Sequence, residues 1–262
     1  IRTMSNEIDI VNTFGGPDAN TYESFFTAAN FLSYADNLKL VRSVGAAARN
    51  AANTGILIKN RDSYEATYSA LSSNTGGGYV FAAKYPGSIG NSLKVSVCAN
   101  SAGFSSYTYA SNYNSAPNTS TYVAGVNGSY DEMHITVVDE DGFISGTANT
   151  VLERFGYVSK ASDAVNEDGS SNYYVNVLTD QSKYVYAIAH AANSNSGATG
   201  SGTVFGSGDG GSIVNLSLTG GVDAAPATAN VQVSYDKFKN ADEVDISLIM
   251  TGAHSNVVSK YI

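Results

Sequence analysis

The sequence is poor in charged residues, and the basic ones are the scarcer kind. Only 14% of its 262 residues are charged, against about 25% in an average soluble protein. Lys and Arg total 14, Asp and Glu total 23, and the net charge is −9 at pH 7. Because nucleic-acid sites need clustered Lys and Arg to contact phosphates, this balance argues against a nucleic-acid-binding surface. The same shortage disfavours binding to an anionic membrane surface.

Cysteines and long apolar runs are also scarce. The single cysteine, Cys98, cannot form an internal disulfide and fits a reducing compartment such as a cytoplasm. No window approaches the ~18 consecutive apolar residues of a transmembrane helix, so none is predicted. Residues 1–7 lack the apolar run of a signal peptide, and the sequence opens with Ile instead of Met. We therefore expect the sequence to begin in mid-protein.

The sequence does contain ample material for a folded core. Hydrophobic residues make up 43% of it, with 18 Tyr and 10 Phe, so disorder of the whole chain is not expected. Its 26 Gly and 4 Pro point to many turns. The length corresponds to one large domain or two modest ones.

Apolar periodicity predicts four helices. The clearest covers Asn20–Ala35, where five apolar side chains recur on one stripe and Asn20 with Glu23 resembles a capping box. A short helix is predicted before it, within residues 6–13, because Gly15–Gly16–Pro17 would end a helix there. The other two predicted helices are a weaker one over 62–71 and one across 227–240.

Alternating apolar residues predict strands between these helices. Residues 173–178 suit a strand by their aromatic and β-branched content, although a helix is also open there. The acidic turn at 139–142 is expected to close a tight hairpin, because Asp-Gly supplies a positive φ. The mixture of elements predicts an α/β fold, a layered sheet-and-helix domain. The other predicted strands are Leu38–Val44, Ser92–Ala99, Glu132–Val138, Phe143–Ile144, Val151–Phe155, Tyr184–Ala189, Ile213–Thr219 and Val244–Met250.

Three stretches without clear periodicity are predicted to be loops. Residues 45–55 read as a loop or the stump of an insertion, and 193–212 as a mobile surface loop. Residues 100–129 read as an extended loop or edge region. The tyrosines of this last stretch could form a sugar- or protein-contacting surface or an edge strand with solvent-facing rings: Tyr107, Tyr109, Tyr113 and Tyr122.

The histidines do not form a recognisable catalytic or zinc pattern. His134, His190 and His254 lie far apart in the sequence, and no Gly-x-Ser-x-Gly nucleophile turn accompanies them. With Cys98 alone, a zinc site lacks enough ligands. We therefore predict no catalytic residues and no zinc.

Turns explain the acidic and glycine-rich segments more simply than ligand binding does. Residues 139–141 and Asp209 could touch calcium, but neither has the rest of a calcium-binding loop, so turns explain both. The glycine runs at 76–78 and 206–211 lack the phosphate-binding and dinucleotide patterns. No metal and no cofactor is predicted.

A further set of segments has a distinctive order and spacing along nearly the whole chain. Its most specific member is AKYPGSIGNSLKV at 83–95. The other members are Ser5–Asp9, Phe14–Pro17, Phe25–Leu32, Leu38–Arg42, Asp139–Gly142, Val151–Phe155, Leu218–Asp223 and Val244–Ile249. Together these segments resemble the tail sheath proteins of contractile-tailed bacteriophages, in particular T-even-like myoviruses.

The resemblance implies the middle portion of a sheath subunit, with the subtilisin-like fold of that family's middle domain. It implies that residues 1–44 begin the sheath core domain and that 56–262 complete it. Residues 45–55 would be a short loop where larger members carry an outer-domain insertion. The N-terminal arm and the tube-facing C-terminal domain of the family are expected to be absent.

The resemblance also implies a structural role. Such subunits polymerise around the inner tail tube and contract to drive it through the host cell envelope. The expected partners are other sheath subunits, in homo-oligomeric rings or a helix, with the tube and the baseplate. No cofactor and no direct contact with nucleic acid or membrane is expected. The expected location is the virion tail, after assembly in the host cytoplasm.

Two glycine-containing turns within these motifs are predicted to determine the shape of the subunit, although ordinary tight turns would explain them too. The residues are Pro86, Gly87, Gly90 and Asn91 in the first, and Gly220, Gly221 and Asp223 in the second.

Two rival functions stay open. A sheath of a non-phage contractile injection machine would have the same scaffold. A hydrolase is the second rival, because the family's middle domain is subtilisin-like, but no Gly-Thr-Ser-Met-Ala nucleophile segment is present.

Overall fold

The computed structural model describes residues 1–18, 21–52, 55–67, 81–188, 212–252 and 254–262. These residues form two compact units. Unit 1 consists of Ile1–Ala48 and Asp223–Ile262, and unit 2 of Arg49–Val222. Helices occur together with antiparallel sheets, which confirms the predicted α/β class.

Most helices and strands are short. None of the helices in the described ranges has the length and apolar character needed to cross a membrane. Unit 2 also contains 3-10 turns at Ser88–Ser92, Ser101–Ser106 and Ala110–Asn112. In chain order the strands and α-helices are β1 (Arg2–Met4), α1 (Glu7–Phe14), α2 (Tyr22–Leu32), β2 (Leu38–Leu40), α3 (Arg61–Thr67), β3 (Phe81–Ala83), β4 (Leu93–Cys98), α4 (Thr121–Gly125), β5 (Glu132–Asp139), β6 (Thr150–Ser159), α5 (Tyr174–Gln181), β7 (Val185–Ala187), β8 (Ile213–Ser217), α6 (Thr228–Asp236) and α7 (Asn256–Ser259).

A four-stranded antiparallel sheet, in the order β6-β5-β4-β8, lies at the centre of unit 2. Alternation puts Val95 and Val97 on one face of β4, opposite Val137 and Ile135 of β5. Val214 of β8 lies opposite Val97 on the other side. These side chains are buried, and such cross-strand pairs of branched residues stabilise a sheet. The strands predicted here from alternation are confirmed, with bounds shifted by one or two residues.

Residues 101–113 cover the opposite face of this sheet. Tyr107 is 4% exposed, and its hydroxyl donates to the carbonyl oxygen of Ser96 at 3.0 Å and lies 2.9 Å from the Thr136 hydroxyl. Tyr113 lies 2.8 Å from the same hydroxyl. Both predicted roles for these tyrosines, a contact surface and solvent-facing rings, are therefore wrong for these two, because the sheet face needs apolar cover.

A second, two-stranded antiparallel sheet pairs β3 with β7. Tyr64 of α3 stacks on Tyr186 of β7 with ring centroids 4.2 Å apart, and its hydroxyl donates to a β7 carbonyl oxygen at 2.6 Å. Residues 173–178, for which a strand and a helix were both open, contribute to helix α5. Tyr174 and Leu178 are fully buried on it. The helical alternative is thus the correct one.

Unit 1 has a small core of its own around β1, β2, α1 and α2. Asn6 caps α1 by accepting a hydrogen bond from the Asp9 N–H at 2.9 Å. Gly15 ends the helix with φ +87°, a conformation that costs glycine little. The short helix predicted at the start of the chain is confirmed.

The clearest predicted helix is confirmed as α2, but its apolar stripe is only partly covered. Phe25 and Ala29 are buried, whereas Tyr22 and Phe26 are 49% and 50% exposed. The helix begins after Thr21, whose side chain makes no capping hydrogen bond. Asn20, proposed as the cap, lies outside the described residues. Unit 1 therefore presents apolar side chains on its surface.

Several predicted strands are shorter than expected or missing. The strand predicted over 38–44 extends only through β2, because β1 supplies partners for three residues. Val244–Met250 and Phe143–Ile144 form no strand, since no described strand pairs with either. The strands predicted at 151–155 and 184–189 are found in β6 and β7, and the helix predicted at 227–240 is α6. The described part of the helix predicted at 62–71 lies in α3, whereas β3 was not predicted.

Residues 140–149 connect β5 to β6, so the expected tight hairpin is wrong. Gly142 has φ +82°, as the Asp-Gly pattern predicts. The buried Asp139 carboxylate organises the connection by accepting hydrogen bonds from the Ser92 hydroxyl at 2.5 Å and from backbone N–H groups, including that of Ser145 at 2.6 Å. Burial alone would raise the pKa of Asp139, but these hydrogen bonds lower it.

We expect Asp139→Asn to lower the free energy of unfolding by about 2–3 kcal/mol, because an amide cannot accept all of these hydrogen bonds. Urea unfolding at pH 7 measures the loss. The matched control is Asp141→Asn, two residues away and exposed, which should change stability by less than about 0.5 kcal/mol. Equal losses in the two variants would contradict the assignment.

Candidate functional site

The two predicted shape-determining turns meet in unit 2. The Asn91 side chain makes two hydrogen bonds to the backbone of Gly221: Nδ2 donates to the carbonyl oxygen at 3.0 Å, and Oδ1 accepts from the N–H at 2.7 Å. The two residues are 130 positions apart in the sequence. One side chain thus pairs both backbone groups of a distant glycine, as a neighbouring strand would.

Glycine is required at this meeting point by close packing. A Cβ at Gly221 would collide with the carbonyl oxygen of Gly87. A Cβ at Gly90 would lie 2.8 Å from the Cβ of Ala83 and 3.0 Å from that of Ala51. Because real Cβ atoms do not approach so closely, larger residues at 90 or 221 would force the backbone segments apart.

A third segment, Arg49–Ala52, completes what we call the three-segment junction: 49–52, 83–91 and 219–222. Arg49 exchanges two backbone hydrogen bonds with Val222, at 2.9 and 3.0 Å, and its carbonyl also accepts from the Gly87 N–H at 2.9 Å. The Ala83 N–H donates to the Ala51 carbonyl at 2.8 Å. Each segment is therefore tied to another by main-chain hydrogen bonds.

Asn50 is the polar centre of the junction. Its side chain is completely buried, donates to the carbonyl oxygens of Ile58 and Ala83 at 3.2 and 2.9 Å, and accepts from the Ile58 N–H at 2.7 Å. A buried amide with every group paired fixes its neighbours in place. The described part of the loop predicted over 45–55 has no helix or named strand. Its middle is buried and holds neighbouring segments together, so it is not the remnant of a surface insertion.

Lys84 connects the junction to helix α5. Its Nζ donates to the carbonyl oxygens of Thr179 and Ser182, at 2.9 and 2.5 Å, in the last turn of that helix and just beyond it. It also lies 4.6 Å from the ring centroid of Tyr186. A cation is favourable at a helix C-terminus, where unpaired carbonyls accumulate. The AKYPGSIGN motif thus orients a helix as well as a turn.

The other predicted turn residues differ in their surroundings. Pro86 is buried within the junction. Gly87 and Gly220 have φ values of +134° and +78°, which favour glycine. Asp223 belongs to unit 1 and instead approaches Arg42 at 3.8 Å, with side chains 51% and 30% exposed. Such an exposed ion pair contributes little to stability, so Asp223 is not part of the junction.

Of the described histidines, His254 is exposed, and His134 lacks the surroundings of a catalytic base. His134 is buried and stacks on Tyr113 with ring centroids 4.0 Å apart. Its Nδ1 accepts from the Tyr157 N–H at 3.1 Å, so Nε2 carries the proton and donates to the Ser115 carbonyl at 2.9 Å. Burial lowers its pKa. Both ring nitrogens of His134 are engaged by backbone, which makes it a structural residue.

The remaining candidates form no site in the described ranges. No cluster of three or more potential metal ligands occurs there. Burial raises the pKa of Cys98 to about 11, which disfavours the thiolate. Tyr109 and Tyr122 are half-buried. His190, Asp209, the glycine runs at 76–78 and 206–211 and residues 193–211 lie outside the described residues.

A buried lysine at the far end of the sheet was not predicted. Lys160 is completely buried, and its Nζ donates to the Ala99 carbonyl at 2.9 Å. Asp131, also buried, accepts from the hydroxyls of Ser120 and Ser159. Burial lowers the pKa of Lys160 to about 8, although the nearby Asp131 favours the charged form.

Sequence reasoning missed the residues that make these contacts, chiefly Asn50, Lys84 and Lys160. Asn50 stands in an Ala- and Asn-rich stretch without periodicity, which is typical of loops. The available signal was a polar pair, Arg49–Asn50, between the alanines 46–48 and 51–52. Lys160 directly follows an alternating strand and had no signal of its own.

We expect Gly221→Ala to lower the free energy of unfolding by about 3 kcal/mol or more, because the new methyl group meets backbone that cannot give way. Gly125→Ala is the matched control, since a Cβ at this helical glycine of the same unit would meet nothing within 4 Å. That variant should be neutral or slightly stabilising. Chemical denaturation of both variants tests the difference, and a Gly221→Ala protein as stable as the wild type would refute the packing argument.

The burial of Lys160 predicts that the stability of the protein depends on pH. The folded state holds the Lys160 proton less tightly than the unfolded state, whose pKa is 10.5. Between those pKa values the unfolded state binds more protons, so stability rises with pH. Between pH 7.5 and 9.5, we expect the free energy of unfolding of the wild type to rise by about 2 kcal/mol relative to that of Lys160→Met. Lys183→Met, at an exposed lysine, is the control, and urea unfolding should show no such trend for it. A stability difference between wild type and Lys160→Met that stays constant with pH would contradict the prediction.

Comparison with known proteins agrees with the sequence motifs. No family model matches the chain. A tail sheath protein of Salmonella phage ViI is 33% identical over 154 residues, which are 58% of this chain and 22% of the phage protein. A tail sheath protein of Enterobacteria phage T4 is 50% identical over 44 residues, 17% of this chain and 7% of that protein.

The matched regions therefore span less than a quarter of the length of either relative. Within those limits, more than half of this chain is similar in sequence to a phage tail sheath protein.

Proposed function

We propose that this chain is a structural, non-enzymatic part of a contractile phage tail sheath, the middle portion of a subunit that polymerises around an inner tail tube. The observation that carries this proposal is the similarity of 154 residues to a tail sheath protein. The proposal places the chain in the virion tail, after assembly in the host cytoplasm. Its partners are other sheath subunits, the tube and the baseplate.

A sheath is a head-to-tail assembly, in which different surfaces of identical subunits meet and the contact repeats without closing into a dimer. Each subunit must keep its shape while its contacts change. The three-segment junction supports this requirement, because close glycine contacts and fully paired amides, one buried and one half-buried, resist deformation. We assign it the shape-determining role that its sequence motifs suggest.

Contraction needs a second packing of the subunits that has a lower free energy. It needs no nucleotide hydrolysis. If it newly buried on the order of 500 Å² of apolar surface per subunit, the gain would be about 12 kcal/mol before costs, at ~25 cal/mol per Å². Shared over many subunits, that gain drives the tube through the host envelope. The low charge content favours such re-pairing, since stranding an unpaired charge in a contact costs several kcal/mol.

Electron microscopy tests this proposal directly. We expect the purified chain, alone or co-expressed with a tail tube protein, to form rings or hollow tubes in negative stain. Gly125→Ala should assemble like the wild type, whereas Gly221→Ala should yield fewer or irregular particles because its shape is disturbed. Dispersed monomers both alone and with the tube protein would contradict the proposal.

A further inference from the structure

Unit 1 combines a small core with a large exposed apolar surface. Its core cluster contains six buried residues, two of which are alanines, and the sheet formed by its described residues has two strands. A two-stranded sheet needs further strands or packed helices to be stable. Although unit 1 is the shorter of the two units, most of the large apolar side chains that the described residues expose belong to it.

The apolar stripe of helix α1 continues beyond this core. Ile10 is 3% exposed, and Phe14 packs against the same core cluster. At about 100° per residue, Val11 and then Ile8 follow Phe14 around the helix, and they are 36% and 69% exposed. One side of the stripe is therefore buried in unit 1, and the other side faces water.

Helix α2 has the same arrangement. Phe25 and Ala29 are buried, whereas Tyr22 and Phe26, beside them on the helix, are 49% and 50% exposed. The Phe26 ring lies nearly perpendicular to that of Phe25, with centroids 5.5 Å apart, so the exposed surface is continuous with the core. The two helices also contact each other. We call their exposed apolar residues the helix flank: Ile8, Val11, Tyr22 and Phe26.

The helix flank has the features of a surface that is buried within a fold. A surface helix turns one apolar stripe to the core and polar residues to water, yet both of these helices carry apolar residues past the covered part of the stripe. The length of the relatives supplies a source for the missing cover. The 154 matched residues are 58% of this chain but 22% of the phage ViI protein, so that protein is more than twice as long as this chain.

We propose that the helix flank is covered, in the complete sheath subunit, by a part of the same polypeptide that lies outside residues 1–262. This inference rests on the proposed function, which makes the chain the middle portion of a subunit. A covalently connected segment meets the flank at a high effective concentration. The contact is therefore a permanent one inside the subunit. Contacts that change during contraction use other exposed side chains of unit 1, such as Leu248 and Val257, which are 66% and 61% exposed.

The rate of cysteine labelling tests what covers the flank. Phe26→Cys places a thiol on it, and Phe143→Cys, at a 72% exposed phenylalanine of unit 2, is the matched control. In the 262-residue chain both thiols should react with a maleimide at similar rates, because both positions are exposed. The wild type, with Cys98 buried, measures the background.

The complete subunit is the informative comparison, at a concentration at which sedimentation velocity shows a monomer. There Phe26→Cys should react at least about tenfold more slowly than in the 262-residue chain, because a covered thiol reacts only when the structure opens locally. Phe143→Cys should keep its rate. Ile8→Cys, on α1, is the second flank variant and should be slowed in the same way.

Two results would overturn the proposal. One is equal labelling of the flank cysteines in the 262-residue chain and in the monomeric complete subunit. The other is slowing that occurs only after the subunits assemble, since a neighbouring subunit would then be the cover. Either result, obtained with subunits that still form tubes, would leave the proposed function standing. Slowed labelling in a subunit that never forms tubes would contradict the proposed function and support the cover.

Discussion

The two hydrogen bonds between the Asn91 side chain and the Gly221 backbone hold the ends of two strands together. β4 begins two residues after Asn91, and β8 ends four residues before Gly221. The Leu218 N–H continues the ladder by donating to the Leu93 carbonyl at 2.8 Å. Because a strand shifted by one residue would turn its apolar side chains to the wrong face, this fixed end specifies the register of the sheet.

The constraint extends from the sheet to the smaller elements of unit 2. Asn50 binds Ala83 at the end of β3, and Lys84, the next residue, binds the end of α5. The junction thus touches the large sheet, the small sheet and a helix through three polar side chains. Since each of these groups is buried or half-buried and paired, moving one element would leave a partner unsatisfied, which costs about 1–3 kcal/mol per group.

Sequence patterns located the regular elements well and the connections poorly. Alternation found β4, β5 and β8, because their buried face depends only on which residues are apolar. The same rule failed at Val244–Met250, where alternation is present but no described strand is available as a partner. Composition could not place Tyr107 either, because a ring that covers a sheet face and one that faces solvent have the same local sequence. Gly221 and Asn91 were singled out by motif, but a contact across 130 residues has no local signature.

The two units differ in the kind of interaction on which they rely, and this difference suits the proposed role. Unit 2 buries polar groups such as Asn50, Asp131 and Lys160 with specific partners, and directional hydrogen bonds define a single shape. Unit 1 exposes apolar side chains instead, and apolar contact is non-directional, so one surface can meet different neighbours at similar energy. A lattice that changes its packing needs both properties. Directional bonds must stay inside the subunit, because each one placed in a changing contact would have to break before the next packing forms.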